Sequence, residues 1–122
     1  MSDFLPLYHP ADKVPAVTSA AVTAGQVVVV SGNNTVAASS SAVMAYGIAA
    51  QDDLVGGNQI MVWRCGIHML TASGAIAAGD AVIPAASGAV ATIASDTNYN
   101  HVVGQALAAA SGGKVLVAVR LS

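Results

Sequence analysis

The 122-residue chain contains no glutamate, and its four basic and six acidic residues make up only 8% of the sequence, against about 25% in an average soluble domain. A folded monomer of this mass exposes on the order of 6,000 Å², or roughly 600 Å² per charge. Much of that surface is therefore expected to be covered by a partner. A membrane is not the expected cover, since no stretch approaches the roughly 20 apolar residues of a span and Val27 to Val30 is strand-sized. The N-terminus lacks a basic segment and carries Asp3, so a secretory signal is not expected, and the chain reads as soluble and unexported. Basic residues are scarce and scattered at Lys13, Arg64, Lys114 and Arg120, with net charge −2. That leaves no cationic stripe for phosphate, and direct nucleic-acid binding is not expected. Cys65 is the single cysteine, which excludes an internal disulfide and a cysteine zinc site. It reads as a small apolar core residue.

What is present is valine, alanine, glycine and serine. Residues 1–20 stand apart: Pro6, Pro10 and Pro15 interrupt a segment without helical or long alternating periodicity. This segment is expected to be an extended N-terminal arm, followed by a single β domain over 21–122. Phe4, Leu5, Leu7 and Tyr8 give the arm more apolar character than a solubilising tail needs. The arm is expected to dock, with Phe4, Leu5, Pro6, Leu7, Tyr8, His9 and Pro10 as the contact residues.

From Gly25 onward short Val-rich runs alternate with Gly, Ser and Asn, as in an all-β domain. The clearest strand is the last, where Val115, Val117, Val119 and Leu121 alternate with Leu116, Ala118 and Arg120. Further candidates are 26–30, 42–49, 59–70, 80–84, 89–94 and 101–108, with at most one short helix, near 107–110. Ala85-Ala86-Ser87-Gly88 suits a hairpin loop with glycine at positive φ. Ala24-Gly25-Gln26 and Val28 match Ala78-Gly79-Asp80 and Val82 at a spacing of 54, as does Val36-Ala37 with Val90-Ala91. Gly56-Gly57 and Arg64 match Gly112-Gly113 and Arg120 at 56. These matches are either a duplication or recurrence in a biased composition. A duplication implies two related β halves closing as a small barrel or sandwich.

Candidate chemical groups do not converge in sequence. Cys65 and His68, three apart on one strand, point to opposite faces. His9 and His101 have no nearby partner at ligand spacing and read as surface or interface residues. Asp52-Asp53 reads as a solvated turn, since adjacent carboxylates diverge on a strand. Ser111-Gly112-Gly113-Lys114 fails as a phosphate loop, because Ala108 and Val115 occupy positions that require Gly and Ser/Thr. No enzyme, metal or cofactor is expected.

The segments Val22-Thr23-Ala24-Gly25-Gln26-Val27-Val28, Ile76-Ala77-Ala78-Gly79-Asp80-Ala81-Val82, and Val103-Gly104-Gln105-Ala106-Leu107 through Val117-Ala118-Val119-Arg120-Leu121 resemble the small capsid cement, or head decoration, proteins of tailed phages. The likeness spans about residues 14–122 and rests on the order of soft motifs. The resemblance implies a structural virion protein, made in the host cytoplasm, that binds the major capsid protein on the outer capsid surface. It implies a homotrimer that stabilises the head against the pressure of packaged DNA, with the N-terminal arm ordering on the shell. The second reading is a phage or cell-surface β domain that binds glycan by stacking on Trp63, Tyr46 or Tyr99.

Overall fold

Val-rich segments whose side chains alternate between interior and surface form ten short strands in the computed structural model, which describes residues 13–94 and 96–120. The first five are β1 (Lys13–Thr18), β2 (Val27–Gly32), β3 (Thr35–Ala38), β4 (Gly47–Ala49) and β5 (Gln59–Trp63). They close a barrel in the order β1-β3-β2-β4-β5, with β1 parallel to β3 and antiparallel to β5. The next five are β6 (Cys65–Thr71), β7 (Ala81–Pro84), β8 (Val90–Thr92), β9 (Gly104–Ala106) and β10 (Lys114–Arg120), in the order β6-β10-β9-β7-β8. A parallel bridge from Ala72 to Val90 brings the two ends of the second sheet together. The architecture is all-β, as expected.

The two halves have the same topology. Gly25 N–H donates to Ala49 O and Gly79 N–H to Ala106 O, both at 2.8 Å. Tyr46 N–H donates to Val28 O and Val103 N–H to Val82 O, also both at 2.8 Å. The parallel pairing of Thr18 with Val36 is matched by that of Ala72 with Val90. The sequence match at 54 is therefore a structural repeat through β3. The match at 56 is not in structural register: the ladders align Gln59 with Lys114 and Val62 with Val117, one residue off. Loops of unequal length in the two halves produce that offset.

Gly47 and Gly104 show why the repeat kept its glycines. A Cβ on Gly104 would lie 2.0 Å from Ala118 O, and one on Gly47 would lie 2.5 Å from the equivalent Trp63 O. Only a residue without a side chain lets β4 and β9 lie this close to the neighbouring strand.

Each half fills an interior with small aliphatic side chains. Val14, Val22, Val28, Val36, Ile60 and Val62 pack the first. Leu70, Ile76, Val82, Val90, Val103 and the inward face of β10 (Val115, Val117, Val119) pack the second. Val27 and Ile48, next to inward-facing residues of the first barrel, point outward and are buried in the second core. Ser39 secures this seam: its hydroxyl donates to Ala85 O at 2.7 Å and its carbonyl accepts Gly88 N–H at 2.9 Å.

Several expected boundaries shift. Of the segment expected as an arm, Lys13–Thr18 is the first barrel strand, and residues 1–12 lie outside the described residues. Pro15 is compatible with a strand here because Thr18 N–H points toward β5, to Asn58 O. By alternation the missing N–H of Pro15 falls on the opposite edge, where β3 pairs only with Val17 and Thr18. Residues 59–70 form two strands, broken at Arg64 where the chain crosses between halves, and 42–49 contributes only Gly47–Ala49. Residues 107–110 are not helical; the helical pieces among the described residues are 3-10 turns at Ala86–Gly88 and Tyr99–His101. Gly88 has φ +72°, as expected for that hairpin loop.

Gly104→Ala is expected to destabilise the fold by about 3 kcal/mol through overpacking against β10, read as a lower chemical-denaturation midpoint. An unchanged midpoint would contradict the close-approach account.

Candidate functional site

The residues expected to contact a partner, Phe4 to Pro10, lie outside the described residues. Among the described residues, three surface features stand out.

The first is the outer face of the second sheet. Alternation on β6 and β10 sends Leu70, Val115, Val117 and Val119 inward and leaves Ile67 and Met69 outside, 65% and 59% exposed. Ile67 pairs with Ala118 and Met69 with Leu116, making an apolar patch bordered along β10 by Lys114 and Arg120. Cys65 lies on the same outward face, opposite Arg120, and is exposed. The expectation of a core cysteine is corrected: β6 is paired only with β10 along its length, and its odd-numbered residues face away from the core.

The second is the loop between β4 and β5. Asp53 was expected in a solvated turn, yet it is buried and is the acceptor that organises the loop. Its Oδ2 accepts the Thr18 hydroxyl and the Asn58 N–H, while its Oδ1 accepts the Val55 and Gly56 N–H groups and the Asn58 side-chain amide. These donors, led by Thr18 and Asn58, hold the Asp53 carboxyl well below its ordinary value of 3.8. Asp52, in contrast, is exposed and accepts Ala24 N–H at 2.7 Å. At the loop tip Leu54 and Val55 are 82% and 80% exposed. Composition gave no sign of this, but Asp53 stands three residues ahead of Gly56-Gly57-Asn58, and aspartate readily caps a turn by accepting backbone N–H groups just after it.

The third is a cleft of about 460 Å³ where β1 diverges from β3, lined by Pro15, Val17, Val30, Thr35 and Tyr46 among others.

The histidines and aromatics are dispersed. His68 Nε2 contacts its neighbour's backbone, Cys65 O at 3.0 Å, and its ring lies 6.2 Å from that of Trp63. His101 pairs with Asp96 (Nδ1 to Oδ2, 2.8 Å), a local partner that sequence spacing did not disclose. That bond and the Asn98 N–H lower the Asp96 pKa. Trp63 packs against the second core under the Lys13 ammonium, Tyr46 against the first core under Arg64, and Tyr99 stands exposed on its own turn. The aromatics proposed for glycan stacking thus occupy three separate environments. Among the described residues no three His, Cys, Asp or Glu side chains come together as a metal site.

The described residues thus form a repeated β scaffold with uncovered apolar surfaces and dispersed polar groups. A family model for phage cement proteins matches residues 8–121, and the chain belongs to that family. No curated protein matches it by sequence. Among solved structures, the N base of the head fiber of bacteriophage phi29 is similar, with TM-score 0.68 at 17% identity over 88% of this chain and 92% of that one. That likeness establishes a shared fold.

Because the folded-state pKa of Asp53 lies below the unfolded one, its stabilisation is complete above about pH 4 and is lost as the pH falls through the folded value. Asp53→Asn is expected to lower Tm at pH 7, with the gap to wild type closing below about pH 3.8. A gap that stays constant down to pH 2 would show that the carboxylate charge is not what holds the loop.

Proposed function

We propose that the protein is a structural component of the phage virion that binds the outer surface of the capsid as a homotrimer and stabilises the head against internal DNA pressure, without catalysis. The observation that carries this reading is membership of the phage cement protein family across residues 8–121. The charge-poor composition and the apolar outer face of β6 and β10 support it, since both suit a surface that spends its life covered. The Ile67/Met69 face is the proposed contact between copies. The major capsid protein is the proposed outside partner, met in part by the N-terminal segment.

Phe4, Leu5, Pro6, Leu7, Tyr8, His9 and Pro10 are proposed as shell contacts, an extended segment offering backbone hydrogen bonds and apolar anchors. Three such segments acting together raise avidity by orders of magnitude over one. Since β1 begins at Lys13, a clean test removes residues 2–12 and leaves the barrel strand intact.

The wild-type protein is expected to have a trimer mass in solution and to cosediment with phage heads. The 2–12 deletion is expected to keep the trimer and lose most head binding. A strictly monomeric wild type that ignores heads would sink the cement reading, and undiminished binding by the deletion would sink the role of the N-terminal segment. Ile67→Lys with Met69→Lys is expected to give folded monomers in analytical ultracentrifugation, and an unchanged mass would place the copy-to-copy contact elsewhere.

A further inference from the structure

The repeat makes each half a reference for the other: a loop longer in one half is an addition to a scaffold that forms without it. Between Asp53 and Asn58 the chain places four residues, where the equivalent Ala110 and Gly113 are joined by two. The equivalence is set by the bonds at both ends. Asp53 and Ala110 N–H groups donate to Val22 O and Ile76 O, and Thr18 and Ala72 N–H groups donate to Asn58 O and Gly113 O.

The added length is not slack. Five donors converge on Asp53, and the residues that make the site, Thr18, Asp53 and Asn58, are replaced in the second half by Ala72, Ala110 and Gly113, which have no such groups. The first half alone therefore buries a carboxylate, and the result is that Leu54 and Val55 are held out in water. Exposed aliphatic side chains contribute little to folding. The shorter loop turns on Ser111 instead.

We propose that the Leu54–Val55 turn is a preorganised contact that seats in an apolar pocket of the capsid shell, separate from the N-terminal segment. The proposal rests on the cement reading above. Area favours the shell over a second copy as the occupant. Two exposed aliphatic side chains offer on the order of 250 Å², far short of the roughly 800 Å² per partner that holds a stable pair together. As one of several contacts made at once on a lattice, the same area suffices, because linked weak contacts multiply. The Ile67/Met69 face, on the other half, continues across β10 through half-buried Leu116 and Ala118 and is the one proposed above to join copies. A loop already ordered also avoids most of the entropy loss of binding, and an apolar anchor in a pocket is where interface energy concentrates.

The test is the double variant Leu54→Ser with Val55→Ser, which leaves Asp53 and its donors in place. Tm and solution mass are expected to match wild type, while affinity for phage heads in cosedimentation falls about tenfold or more. Wild-type-like head binding overturns the proposal, and so does an altered mass, which would place the turn between copies. Should the double variant lose Tm, Leu54→Gln and Val55→Thr made singly carry the same comparison. Wild-type protein that fails to bind heads refutes the cement reading itself, whereas wild type and variant binding equally refutes only the role of this turn.

Discussion

The structure depends on the seam between its two halves. Each half is a five-stranded unit of about fifty residues, a size at which a single core is marginal on its own. Val27 and Ile48 resolve this by facing out of the first barrel and into the second core, where they are 0% and 1% exposed. Burying an aliphatic side chain contributes roughly 1.5 to 3 kcal/mol, so these two residues tie the stability of one half to that of the other. The direct bonds from Ser39 to Ala85 and Gly88, and from the Gln26 amide to Ser87 O, fix the angle at which the units meet.

With the scaffold set by the repeat, the halves diverge in their loops. The β4–β5 loop is longer in the first half, and the β8–β9 connection is longer than its β3–β4 counterpart. Each added stretch is organised by a carboxylate: Asp53 in the first, Asp96 with His101 and Asn98 in the second. Each also leaves an apolar or aromatic group exposed, Leu54 and Val55 in one and Tyr99 in the other. A charged acceptor with several hydrogen-bond donors orders a loop without drawing on the aliphatic core, so such additions need not disturb the seam.

The sequence made the fold class and most strands legible, because period-two alternation reports directly on which side chains face a core, and it left the repeat as one of two readings. Val115, Val117 and Val119 are the plainest case, at 1%, 0% and 2% exposure. It misjudged residues whose environment is set by distant partners. Lys13–Thr18 looked like an arm because Pro15 breaks a ladder in general, although here its missing donor faces an unpaired edge. Cys65 looked like core because free cysteines usually are, but β6 is an edge strand. Asp53 looked solvated because its strongest partner, Thr18, is 35 residues away. The Leu54–Val55 turn is hidden in the sequence for the same reason, since an apolar pair beside two aspartates has the composition of an ordinary loop and only the burial of Asp53 sets it apart.

The strand edges bear on how such a charge-poor molecule can remain finite. An uncovered strand edge is a template for open-ended pairing. Here the first sheet closes on itself, and Pro15 removes a donor where that closure is thinnest. The exposed edge strand β6 carries Gly66 at φ +110°, outside the β region, and the Cys65 carbonyl is already engaged by His68. The Ala72–Val90 bridge closes the far end. With backbone addition discouraged, the surfaces proposed for association are side-chain ones, the Ile67/Met69 face and the Leu54–Val55 turn. Surfaces of that kind are satisfied once their particular partner is in place. The proposed role, many copies placed on a shell without polymerising beforehand, calls for this division between silent edges and apolar faces.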